Sequence, residues 1–394
     1  MKIATDMVVH SASLAYENNK LFLQLTVTSI PGMMDPMTLT TKPDFDRVKD
    51  MWRHYWVGEV TGRPLVWASV TRSGATPDDL SRRYWHAVHG NHDLMMAEID
   101  RWLAETEFLG ESVPMLGPDY GPDQFAAWLG SDFEFSDDSP TTDWVRPVID
   151  DWDAFLPVRF DLDGRLWQGI LEYSRKLARH GEGRYLVSVA DLHSNMDAFL
   201  ALRGSERLCM DFYDHPEQVT QGMRQVRKLY QPVYDALFEA GSMGGSRGSA
   251  GWAPFWSDGK FATIQCDFLA LLSPELSRKY VIPALREEAA FLDRCVYHLD
   301  GPNCLPHLDD ILAIDDIDVI QWVPGAGQPP MHEWMDVLKR CQAAGKGLQL
   351  YDITSLDTVK KIARELKPEG LLYLLSVNDR DEALRIIDWL EANT

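Results

Sequence analysis

The chain has 394 residues, 45% of them hydrophobic and 25% charged, which suits a soluble globular protein with room for one large α/β barrel or two ordinary domains. A formal net charge of −22 repels phosphate backbones and argues against a nucleic-acid partner. No apolar run reaches the ~18 residues of a membrane span, so no membrane partner is expected. Met1-Lys2-Ile3-Ala4-Thr5-Asp6 lacks the basic and apolar segments of a secretory leader, so a cytoplasmic location is expected.

In chain order, residues 1–45 form an N-terminal extension expected to pack on the main domain, which covers 46–394. Within the extension, 20–27 has strand propensity and 31–43 reads as loop. Beyond it, strand-like apolar runs fall at 64–70, 113–116, 185–190, 261–265, 295–299, 319–323, 347–351 and 370–375. Helix-like stretches at 216–240, 274–292, 332–344, 356–366 and 381–392 separate the later ones. Ser273 before Pro274, Ser355 and Asp379 are N-cap candidates, and Gly345 stands where a helix stops. Strands alternating with helices imply parallel strands joined by right-handed crossovers. Eight of them predict a (β/α)₈ TIM barrel. An open doubly wound sheet is the rival, but no Gly-x-Gly-x-x-Gly follows a strand. The five cysteines are odd in number, widely spaced and without a Cys-x-x-Cys, and they read as free thiols.

Barrel enzymes work at the C-terminal ends of their strands. The residues there are Thr71 and Arg72, then Asp191, His193, Asn195 and Asp197, then Cys266 and Asp267. His298 and Asp300 follow, then Gln321 and Trp322, Tyr351 and Asp352, and Ser376 and Asn378. Polar groups are costly to bury unpaired, so such a ring marks a candidate site. His298 and Asp300 are two apart in an extended segment and point the same way. They suit either a metal or an oriented acid–base pair, with Asp267, Cys266, Asp191 or His193 as a third ligand. His298, Asp300, Asp267 and Asp191 are the expected catalytic residues. His193, Asn195, Arg72, Gln321, Trp322 and Tyr351 are the expected substrate contacts. Gly251-Trp252-Ala253-Pro254-Phe255-Trp256 reads as a substrate-covering wall through Trp252 and Trp256, hinged on the glycine-rich 241–251.

Four segments carry a family resemblance. The first is Ala198-Phe199-Leu200-Ala201-Leu202-Arg203-Gly204, followed by Asp211 and His215-Pro216-Glu217-Gln218-Val219. The second is Cys266-Asp267-Phe268 with Leu272-Ser273-Pro274-Glu275 and Tyr280-Val281-Ile282-Pro283. The third is Tyr297-His298-Leu299-Asp300-Gly301, and the fourth is Ile320-Gln321-Trp322. Over 117–375 the chain resembles uroporphyrinogen decarboxylase-like barrels, which include corrinoid methyltransferases. The resemblance implies a barrel enzyme acting on a small molecule or a carried methyl group, and a homodimer.

Departures from the family pattern sort its branches. Decarboxylases of porphyrinogens carry Arg-Gln-Ala-Gly-Arg where this chain has Val70-Thr71-Arg72-Ser73-Gly74, so the grip on a polycarboxylate is missing. The thiol-methylating branch binds zinc through His-x-Cys and a later cysteine. Here the pair is His298-Leu299-Asp300 and the later strand ends Ser376-Val377-Asn378, which leaves a harder nitrogen and oxygen site or no metal at all. Methyl transfer to or from a corrinoid protein or tetrahydrofolate, with zinc at His298 and Asp300, is the leading expectation. A carbohydrate- or polyol-active hydrolase or lyase using paired carboxylates is the first alternative. A decarboxylase of a small carboxylated substrate is the second, and a binding protein on a decayed barrel the last.

Overall fold

The computed structural model describes residues 8–17, 20–28, 38–72, 83–136 and 139–394. Ser73, Gly74 and most of the loop expected at 31–43 lie outside them. Val8–Glu17 and Lys20–Thr28 pair as an antiparallel hairpin, so the strand expected at 20–27 has its partner in the residues just before it.

The central strands, numbered in chain order, are β1 Leu65–Thr71, β2 Thr106–Gly110, β3 Met115–Leu116, β4 Leu186–Val187, β5 Phe261–Gln265, β6 Arg294–Asp300, β7 Val319–Val323, β8 Gly347–Ile353 and β9 Leu371–Leu375. One seven-stranded sheet runs β5-β6-β7-β8-β9-β1-β2, parallel throughout except for β2. β3 and β4 form a separate parallel pair. All eight predicted strands are present in a barrel-like α/β fold, but the described ladder does not close into a complete barrel. The antiparallel β2 takes the free edge of β1. β3 and β4 are two residues each, and Pro114 beside them has no N–H to donate. The pair is tied to its neighbours by single hydrogen bonds, such as Val189 N to Ala250 O at 2.8 Å.

Prolines decide where the long predicted helices break. The stretch at 216–240 is two helices, Pro216–Val226 and Tyr230–Ala240, with a tight turn between them just before Pro232. The stretch at 274–292 divides into Pro274–Tyr280 and Ile282–Phe291 at Pro283. Ser273, Ser355 and Asp379 cap as expected, each accepting from backbone N–H groups of the first turn. Gly345 follows its helix at φ 79°, a conformation glycine adopts without strain.

Inward-facing residues at the N-terminal ends of the strands, among them Leu65, Leu186, Phe261, Val296, Val319 and Leu372, are buried in one cluster. The helix Phe45–Trp56 plugs that end through Phe45, Val48, Trp52 and Tyr55, which belong to the same cluster. Leu39, within the expected extension, is buried in the same cluster. Phe255 and Trp256 complete the plug, with Phe255 5.6 Å from Trp52 and Trp256 edge-on to Phe45 at 6.0 Å. Among the described residues, no helix is long and apolar enough to cross a membrane.

Candidate active site

The C-terminal ends of β5 and β6 bring together Asp267, His298 and Asp300. One ligand atom from each lies within 4.8 Å of the other two, and all three side chains are half-buried. Strand alternation aims His298 and Asp300 to one side. Parallel register sets His298 beside Gln265 on one flank and Gln321 on the other.

Asp197 fixes the turn that carries Asp267. Its carboxylate, 2% exposed, accepts from the backbone N–H of Asp267 at 2.9 Å and of Phe268 at 3.0 Å, and from Cys266 Sγ at 3.5 Å. Burial, and then the charge of Asp267, push the Asp197 carboxyl up to about 7 despite those donors. Burial also raises Asp267, with His298 opposing the shift and Asp300 adding to it. Asp267 Oδ1 is buried and has no hydrogen-bond partner among the described residues.

After β4, Asp191 and His193 face each other, Oδ2 to Nε2, at 3.4 Å. Burial, with Asp119, Asp267 and Asp197 behind it, holds the Asp191 carboxyl well above the usual range. Burial, and then the nearby His298, press His193 down to about 3. Both shifts favour the uncharged form of the group concerned. The Asp191 carboxyl and the His193 imidazole are thus displaced in opposite directions, a pattern common at functional sites.

Asn195, expected to contact substrate, is buried and bonded within the fold. At φ 52° it turns the chain, and its buried side chain donates to Gln265 O at 3.2 Å and to Glu288 at 3.3 Å. Ser194 Oγ also donates to Glu288, at 2.7 Å. Glu288 sits 3% exposed beneath this turn, and burial pushes its carboxyl up to about 8.

The aromatic residues divide. Trp252 stands edge-on to His298, ring centroids 5.3 Å apart at 75°. Trp256 does not join it: it is fully buried in the opposite plug, its Nε1 donating to Arg247 O at 2.8 Å. The expected hinge is no hinge either. Ser249–Ala250 and Trp256–Ser257 pair, and a Cβ on Gly248 would meet Ser257 O at 2.3 Å, so the segment is clasped. Trp322 packs in the core against Trp334, while its neighbour Gln321 bonds His298. Alternation along β7 allows only one of the two to face the site. Tyr351 is half-buried, and burial, then the charges of Asp352 and Asp300, raise its hydroxyl pKa. Arg72 is exposed, with its backbone N–H on Glu105 O.

Three contributors carry no strand-end signal in the sequence. Asp119 accepts from Gly121 N and Gln124 Nε2, and Gln124 in turn reaches Asp191 O at 2.6 Å. Gln349, fully buried in the middle of β8, bonds Gln321. Arg83, on the helix Arg83–Val88, donates to Tyr84 Oη at 2.7 Å. A cavity of about 160 Å³ opens beyond Trp252, walled by Met95, Ile99, Met115 and Tyr173 and edged by Arg83 and Asp119.

No family model matches the chain, and no curated protein resembles it in sequence. Among solved structures, a methyltransferase from Methanosarcina mazei superposes with a TM-score of 0.57. The match covers 88% of this chain and 98% of that one at 15% identity. The likeness is one of fold.

Proposed function

We propose that the chain is a methyl-transferring enzyme whose working centre is Asp267, His298 and Asp300, with a divalent metal ion, zinc in the first instance, held among them. The observation that carries this reading is the convergence of one imidazole and two carboxylates from adjacent strand ends within 4.8 Å. The partnerless, buried Asp267 Oδ1 is a further donor atom that a cation would satisfy. The fold shared with a methyltransferase supports the reaction class.

Such an ion would supply Lewis acidity toward a methyl acceptor or leaving group. His298, Asp267 and Asp300 hold it, and Asp197 keeps the Asp267 turn in place. Asp191 and His193, 3.4 Å apart beside the centre, would carry away the proton that the acceptor releases. Trp252 shields the His298 ring from water, and the cavity beyond it takes the body of a small substrate. The methyl carrier is a corrinoid on a partner protein, or tetrahydrofolate.

Demethylation of methylcobalamin, followed by its visible spectrum with tetrahydrofolate as acceptor, tests this reading. We expect metal-dependent turnover that falls at least ~100-fold in His298→Ala, with the circular-dichroism spectrum unchanged. Turnover unaffected by that substitution contradicts the placement of the site. A second reading has one observation behind it: an oxygen of Asp267 and one of Asp300 lie within 4.8 Å of each other, which suits the close carboxyl pair of a retaining glycosidase better than the wider pair of an inverting one. Release of a sugar from an aryl glycoside, without methylcobalamin turnover, would select it.

A further inference from the structure

Parallel register places Gln265, His298, Gln321 and Gln349 side by side on β5, β6, β7 and β8. Three of the four are joined. His298 Nδ1 meets Gln321 Oε1, and Gln321 Nε2 donates to Gln349 Oε1. A primary amide has one acceptor atom and one donor nitrogen. With its nitrogen committed to Gln349, Gln321 presents only an acceptor to the imidazole. The ring nitrogen opposite must therefore carry the hydrogen.

We propose that Gln321 and Gln349 form a positioning relay that holds His298 as its Nδ1–H tautomer and leaves Nε2 as the nitrogen with the free lone pair. This rests on the reading of His298 as part of the working centre, and it specifies how that residue is prepared. Both amides are shut away from water, Gln321 at 7% exposure and Gln349 at 0%. Solvent cannot exchange for their bonds, and neither amide turns without leaving a buried group unpaired. Trp252, edge-on to the ring, blocks the remaining rotation. A single net hydrogen bond of ~1 kcal/mol shifts two near-equal tautomers by about fivefold.

The partner's chemistry matters. Ligand and base histidines are commonly held by carboxylates, which also raise the basicity of the ring. A neutral amide fixes the tautomer without adding negative charge. That suits a centre already crowded by Asp191, Asp197, Asp267 and Asp300, where burial and mutual repulsion already raise Asp191, Asp197 and Asp267. The relay ends at Gln349 Nε2, which is buried with no hydrogen-bond partner among the described residues.

The test is two-bond proton–nitrogen correlation NMR on the full chain labelled with ¹⁵N-histidine, with His298 assigned by loss of its signals in His298→Ala. Wild type, Gln321→Met, Gln321→Glu and Gln349→Met are compared at neutral pH. The expected result is one tautomer, protonated at Nδ1, in wild type. It becomes a mixture in Gln321→Met, is restored in Gln321→Glu, and is partly lost in Gln349→Met, where the Gln321 amide is free to turn over. If Gln321→Met does not fold, the Gln349→Met and Gln321→Glu spectra decide alone. Wild-type His298 protonated at Nε2, or a tautomer indifferent to all three substitutions, overturns the proposal. Cobalt(II) titration on the same samples separates it from the reading it rests on. We expect Gln321→Met to weaken binding ~10- to 100-fold and Gln321→Glu to recover it. A relay intact by NMR with no cobalt binding in any sample would sink the metal reading and leave the relay standing.

Discussion

The two ends of the sheet use the same alternation of side chains for opposite purposes. At the N-terminal ends, Leu65, Leu186, Phe261, Val319 and Leu372 turn inward onto Trp52, Phe255 and Trp256. At the C-terminal ends the inward positions carry His298, Asp300 and Gln321, with Asp191 and Asp267 on the turns that follow. Apolar burial needs no partner of matching geometry, so the first end closes under one helix. Buried carboxyl groups need partners or protons, so the second end holds displaced pKa values and orphaned oxygens. One end is apolar and closed, and the other is polar and holds the candidate site.

Substitutions at either end should separate those properties. The largest stability effect belongs to the plug. Trp256→Ala removes a fully buried indole and should cost about 3–5 kcal/mol in urea unfolding while leaving metal or substrate affinity unchanged. A change in affinity without loss of stability would break the division.

Glu288 lies under the reactive end and should show in the pH dependence of stability. Its folded-state pKa of about 8 stands above the ordinary value of 4.5, so the folded chain keeps a proton the unfolded chain has lost. Stability from this group is therefore greatest below pH 4.5 and declines as pH rises toward 8. Glu288→Gln should flatten that decline, by on the order of a few kcal/mol across the window. Denaturant midpoints at pH 5 and pH 8 measure it.

Asp197→Ala leaves the N–H groups of Asp267 and Phe268 without an acceptor and should cost about 1–3 kcal/mol. It should also loosen Asp267, so metal affinity falls together with the thermal midpoint. Arg72→Ala sets the lower end of the scale: the side chain is exposed, and stability should move by less than about 0.5 kcal/mol. A marked loss of turnover in that variant would bring Arg72 back to the site.

Much of this division was legible in the sequence. All eight predicted strands fall on apolar runs, and helical patterns separate the later ones. Asp267, His298 and Asp300 could be singled out because strand ends, where polar residues follow a buried run, are recognisable without knowing any contact. Trp322 could have been set aside on the same grounds, since Gln321 before it occupies the inward position of β7. Trp256 could not, because the clasp between Ser249–Ala250 and Trp256–Ser257 is a tertiary pairing with no periodic signature. Ladder closure was illegible for a similar reason. Thr106–Gly110 is a short strand after a helix, and only its antiparallel seat on β1 shows that an edge is taken. Gln349 left one trace, a glutamine inside the apolar run of β8, which is costly unless something bonds it.

The claim that the reactive end is a metal-binding centre is tested most directly by elemental analysis of the purified full chain beside a His298→Ala/Asp300→Ala double variant. The account predicts about one divalent ion per chain in the wild type and none in a variant that remains folded by circular dichroism. A wild-type chain that neither carries nor takes up a divalent ion, or a double variant that retains it, would contradict the account.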